Sequence, residues 1–195
     1  MSAEVPSTPT AATSGRATGS VAGAAVAGTA VSVIVVGVTI TWAFFSMRAV
    51  MGVGGSCADG GPYVSAQSCP SGSWLIAVAI PVMLLTAMFG SVVATSVKAP
   101  NLLVLMWALL FGALGWNFLE FALQGGIVWG WLVCGVMFWL MAAPAVGVML
   151  IALKRAVVPS GSSPAEAVAR WWLPAYSLLS ALGFLIGAWS YRAIS

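Results

Sequence analysis

The stretch WLIAVAIPVMLLTAMFGSVVATSVKAPNLLVLMWALLFGALGWNFLEFAL, residues 74–123, decides the fold. It holds two apolar runs, 74–97 and 101–123, parted by the turn signal KAPN at 98–101. A helix rises about 1.5 Å per residue and the hydrocarbon core of a bilayer is about 30 Å thick, so about 20 apolar residues cross it. Both runs are long enough, and the break between them has room only for a tight turn. Two antiparallel spanning helices follow. Strands are excluded because the runs lack the alternation of a barrel wall, and unpaired backbone groups in lipid cost several kcal/mol each.

Working outward, three further stretches meet the same test: 21–46, 127–153 and 171–191. QGG at 124–126 is a second tight turn, which makes helices two, three and four consecutive hairpins. The expected fold class is all-α, an integral membrane bundle of about five transmembrane helices. Composition agrees. Of 195 residues 61% are hydrophobic and only 6% charged, whereas a soluble domain carries roughly 25% charge.

The flanking segments read as polar. Residues 1–20, rich in Ser, Thr, Ala, Pro and Gly, bury too little to offset the entropy of ordering. They are expected to be a disordered cytoplasmic tail. A signal peptide would have an apolar core of about 7–15 residues, and the uncharged run here continues to Ser46, so residues 21–46 read as an uncleaved anchor. The single membrane domain is then 21–195, with an extracytoplasmic loop at 47–73 and a cytoplasmic loop at 154–170. The last segment of that second loop, SPAEAVARWW, offers Ser163 as an N-cap and Pro164 as a first helical residue for a short amphipathic turn.

Charge sets the expected orientation. With the N-terminus inside, Arg16, Lys98, Lys154, Arg155 and Arg170 are cytoplasmic, while Arg48 and Arg192 lie outside with the C-terminus. This arrangement also exposes loop 47–73, with Cys57 and Cys69, to the oxidising side where disulfides persist. Bridging them constrains the unfolded loop by roughly 3 kcal/mol in the chain-entropy account, and Gly60, Gly61 and Pro62 suit the reversal between them. The pair reads as a structural staple. A redox role together with Cys134 is the alternative, although a membrane thiol oxidoreductase would carry a C-x-x-C motif that this chain lacks.

The run RAVMGVGGSCADGGPYVSAQSCPSG, 48–72, resembles a loop in uncharacterised multi-spanning actinobacterial membrane proteins, with the pattern GGxCAxGGPY followed by Cys-Pro. The matching positions are Gly54, Gly55, Cys57, Ala58, Gly60, Gly61, Pro62, Tyr63, Cys69 and Pro70. The resemblance implies a bacterial plasma membrane and assigns no catalytic residue.

Glu120 is the only acid within a span, and an ionisable group there asks for a partner. Asn117, Glu120 and Gln124 fall on one face of the third helix, about one turn from its outer end. Arg48 and Arg192 lie at the same boundary, so either can form an ion pair with Glu120; a proton- or ion-handling role is the other reading. Mid-span hydroxyls such as Ser32, Thr39, Thr86 and Ser180 are expected to bond their own backbone. Gly183 and Gly187 form a G-x-x-x-G suited to close helix packing, Gly19 and Gly23 begin another, and Gly112 and Gly115 are further small positions in the third helix. Pro81, Pro144 and Pro174 should bend or start helices.

The chain has no histidine, three dispersed cysteines and four scattered acids. No metal or other cofactor is expected, and no nucleic acid, since the basic residues form no stripe. No nucleophile–base pair, phosphate loop or paired carboxylates are visible, so no enzymatic activity is expected. The expectation is a non-catalytic accessory or assembly subunit whose partners are the lipid bilayer and other membrane subunits. A small transporter or channel using Glu120, and a thiol redox protein, are the alternatives.

Overall fold

The computed structural model describes residues 14–58, 67–157 and 164–195, and side chains over 22–58, 67–154 and 171–195. These form five α-helices and no strand: α1 Ser14–Gly52, α2 Leu75–Ser96, α3 Leu102–Leu123, α4 Trp129–Val157 and α5 Pro164–Ile194. Each contains a segment long and apolar enough to cross a membrane. The chain is a helical membrane bundle.

Three helices differ in their bounds from the sequence expectation. Helix α1 starts at Ser14, inside the segment expected to be a tail, and runs past residue 46 to Gly52. Once an apolar span has paid for nucleation, each further residue adds a hydrogen bond, and no proline follows Pro9 to stop it. Helix α4 likewise continues to Val157, ending just before Pro159. Helix α5 begins at Pro164 and runs unbroken into the span, so the segment expected as a turn and loop is its first two turns. Pro174 therefore lies inside α5 and starts nothing. Residues 1–13, 59–66 and 158–163, with the Ser163 cap, lie outside the described residues, as do the surroundings of Gly19 and the side chains of Arg16, Arg155 and Arg170.

Helix α1 is the axis of the bundle, packed against α2, α5 and α3, while α3 pairs most extensively with α4. Small residues set the closest approaches. A Cβ on Gly187 would lie 2.7 Å from Thr41 Cβ, and one on Gly90 would lie 2.7 Å from both Ser32 Cβ and a Leu102 methyl. The G-x-x-x-G of α5 thus seats on α1, as close-packing motifs do in lipid. Gly112 and Gly23 instead face open space, and Gly115 alone of its pair meets a neighbour, the Trp139 ring. Ser32 and Thr39 bond carbonyls one turn back in α1, at 2.8 and 2.9 Å.

A buried apolar cluster joins Val33, Val36 and Ile40 of α1, Met83 and Ala87 of α2, Leu102 and Met106 of α3, and Tyr176 of α5. Next to it the α2–α3 turn is firmly tied. Lys98 takes the left-handed conformation (φ 55°), Ala99 N donates to Ala94 O at 2.9 Å, and the Asn101 side chain caps α3 at Leu103 N, 2.8 Å. Ser91 donates to Asn101 Oδ1 at 2.8 Å, and Tyr176 donates to Pro100 O at 2.8 Å.

The α3–α4 pair exchanges indole hydrogen bonds. Trp107 Nε1 donates to Met141 O at 2.9 Å and Trp139 Nε1 to Gly112 O at 3.3 Å. Pro144 lacks the N–H that Leu140 O would accept, and the Trp107 indole serves the adjacent carbonyl at this weakened turn. Large apolar side chains such as Phe89, Leu178 and Trp189 are more than two-thirds exposed, as the outer face of a helix must be when lipid is its solvent.

Candidate functional site

The ends of α1 and α3 that lie near the disulfide carry a polar cluster. Phe44 and Arg48 stand one turn apart on α1, so both point to the same side; Asn117, Glu120 and Gln124 do the same on α3. Arg48 and Glu120 form a two-pronged ion pair: Nη1 donates to Oε2 at 2.6 Å, and Nη2 donates to Oε1. Their side chains are 33% and 28% exposed, placing the pair at the edge of the bundle.

The rest of the cluster closes around this pair. Asn117 is fully buried. Its Oδ1 accepts from Arg48 Nη1 at 3.2 Å, and its Nδ2 donates to the Phe44 carbonyl at 3.1 Å. A buried amide left without partners would cost about 1–3 kcal/mol, so both of its ends being used is what makes the position tenable. Gln124 Nε2 donates to Glu120 Oε1 at 3.1 Å. The Arg48 guanidinium lies 5.5 Å from the Phe121 ring centroid and 6.0 Å from that of Phe44, within the range of cation–π attraction.

Of the two arginines at this boundary, Arg48 pairs with Glu120. Arg192 is exposed in the last turn of α5 and makes no ion pair among the described residues. The three residues read from sequence as one face do come together. Sequence reasoning missed the Phe44 and Phe121 rings and the link from Asn117 to a backbone carbonyl. The four-residue spacing of Phe44 and Arg48 was the available signal for the first.

Above the cluster, Cys57 and Cys69 form a disulfide with Cα atoms 4.9 Å apart. The chain leaving the bridge is tied down: Ser46 Oγ donates to Gly72 O at 3.0 Å, and Gly72 (φ 82°) packs so close to Tyr191 that a Cβ would meet the ring at 3.2 Å. Cys134 is a free thiol exposed on α4. Among the described residues no three His, Cys, Asp or Glu side chains gather, so the geometry names no set of metal ligands.

Chemically the cluster can hold α3 to α1 and neutralise two charges at the edge of the bundle. Compared with family models, curated proteins and solved structures, the chain matches none. The class defined by fold and site is therefore the coarse one: a five-helix integral membrane protein with a stapled loop and a charge-paired helix seam.

Proposed function

We propose that this chain is a non-catalytic membrane subunit that supports the assembly of a larger envelope complex, in a bacterial plasma membrane with the disulfide loop outside. One observation carries the reading: Glu120, the only acid within the spans, has both carboxylate oxygens engaged by Arg48. A carboxylate so held is a helix clasp and a poor proton carrier. The resemblance of the 48–72 loop supports the bacterial setting, and the excess of cytoplasmic Lys and Arg supports the orientation.

The test is affinity purification of the full chain in mild detergent after crosslinking in native membranes. Reproducible stoichiometric co-purification of other envelope proteins is the expected result. Recovery of the chain alone at every crosslinker level rejects it.

A transporter or channel is the second reading, favoured by the shared face of Asn117, Glu120 and Gln124 and by the partial exposure of Glu120. It requires that reconstituted protein carry a flux that Glu120→Gln abolishes while the fold is retained. The thiol redox reading requires that Cys134 exchange with the Cys57–Cys69 bridge, which alkylation mapping under turnover with a thiol donor would reveal.

A further inference from the structure

The two ends of α3 are attached to the rest of the bundle by different physics. Near the α2–α3 turn the attachment is apolar and dense: Leu102 and Met106 belong to the buried cluster, with Leu105, Leu109 and Leu110 packed against it. The tied turn adds the Asn101 cap, the Ser91–Asn101 bond and the Tyr176–Pro100 bond. Beyond Leu110 no residue of α3 belongs to that cluster. The buried residues there are Gly115, which faces Trp139 of α4, then Asn117 and Ala122. Between this half of α3 and α1, Arg48 donates to Glu120 and Asn117, Asn117 donates to the Phe44 carbonyl, and the Arg48 guanidinium lies against the Phe121 ring.

Helix α4 packs chiefly on α3, with a smaller contact to α5. Their seam has its own close approach, Gly135 against Leu119, its own stacked rings, Phe111 and Phe138 at 5.9 Å, and the exchanged indole bonds. On the α1 side, α2 and α5 are locked by glycine contacts of the same kind. The bundle thus consists of a three-helix body, α5–α1–α2, and a hairpin, α3–α4. They share a firm apolar anchor at one end and a polar contact at the other, where Trp131 resting against Gly55 is a further touch.

We propose that the Arg48–Asn117–Glu120 cluster is a latch, and that its release lets the α3–α4 hairpin swing about the 97–101 turn and open the α1–α3 seam toward the leaflet on the disulfide side. Helices in lipid have no hydrophobic drive between them and are held by close packing and interhelical hydrogen bonds, so the Arg48–Asn117–Glu120 bonds count toward holding this end of the α1–α3 seam. Breaking the hydrogen bonds at the anchored end would leave the buried cluster intact; breaking them here removes the polar tie between α1 and α3. Since α3 has 22 residues, a rotation of ~10° at its anchored end moves its far end by roughly 6 Å. The proposal concerns motion only and is independent of the accessory-subunit reading.

The experiment is distance measurement between paired spin labels on the full chain in lipid nanodiscs, on a Cys134→Ser background with the disulfide kept oxidised. One pair sits at the latch end, at Gly52 and Leu123; the other sits at the anchored end, at Ala24 and Leu103. All four positions are exposed, and a side chain at Gly52 meets nothing within 4 Å. The variants are Glu120→Gln, Asn117→Leu and the double change Arg48→Gln with Glu120→Gln, which leaves no unpaired charge if a single variant fails to fold.

The latch predicts that the Gly52–Leu123 distribution lengthens by roughly 6 Å or broadens over that span, while the Ala24–Leu103 distribution stays as in the parent chain. Unchanged distances at both ends overturn the proposal, and so does broadening at both ends together, which marks a cluster that merely stabilises the whole fold.

Discussion

Gly183 of α5 lies against Gly37 of α1 so closely that a Cβ on Gly183 would stand 3.0 Å from the Gly37 Cα and 2.5 Å from the Ile34 carbonyl oxygen. Real side chains do not fit there without moving backbone. The α1–α5 seam therefore has no room for a side chain at Gly183. Gly183→Val should lower stability by about 1–3 kcal/mol, the usual cost of overpacking, read from reversible unfolding in mixed micelles. Gly147→Ala, at a helical position with open space around it, should be neutral or stabilising by up to ~1 kcal/mol. Equal losses for both would refute this account of the seam.

The Arg48–Glu120 pair should behave as one unit. Arg48→Gln and Glu120→Gln are each expected to destabilise, and the double variant to lose less than their sum, because each single change strands a charge at the membrane edge. A double-mutant cycle gives the coupling directly. Additive losses would mean that the two side chains do not support one another. Arg192→Gln, which removes an arginine without an ion pair among the described residues, should leave stability within about 0.5 kcal/mol of the parent.

The exchanged indoles should matter through their N–H groups. Trp107→Phe keeps an aromatic ring beside Phe111, 4.6 Å away in the parent, yet loses the donor to Met141 O. It should cost about 1 kcal/mol, the usual net worth of such a bond. Unfolding of the variant in the same micelles checks the figure, and no loss at all would show that the carbonyl finds another donor.

Thiol chemistry should separate the three cysteines. Under non-reducing conditions a membrane-permeant alkylating reagent should label Cys134 and spare Cys57 and Cys69, as the bridge and the exposed free thiol require. Replacing both bridge residues with Ser should cost at most about 3 kcal/mol. The helices should persist, since Ser46 and Tyr191 still hold Gly72 in place. Label on either loop cysteine in intact, unreduced membranes would contradict the bridge.

Orientation is tested by fusing a reporter after Ser195. The proposed topology places it outside, on the same side as the disulfide loop. An active cytosolic reporter at that position would reverse the topology and put Cys57 and Cys69 in a reducing compartment.

Much of the architecture was legible because membranes impose one dimension so strictly. Each span had to hold about 20 apolar residues, and KAPN and QGG left room only for hairpins. The helix ends were less legible. Residues 14–20 lack the apolar content of a span, yet they carry nothing that stops a helix already nucleated beside them, and the Pro164 signal for a short turn held equally for a long helix.

Sequence by itself determined that there are five apolar spans, joined by tight turns at 98–101 and 124–126, and placed Arg48 and Arg192 as equal candidates for Glu120. Tertiary structure alone decided between them, and it also chose Gly183 and Gly187 as a packed surface while leaving Gly23 and Gly112 open. The physical reason is that residue order places a side chain along a helix axis through the fixed rise per residue. Which neighbour it faces depends on each helix's rotation and on what packs beside it, and those are settled by the fit of all five helices together.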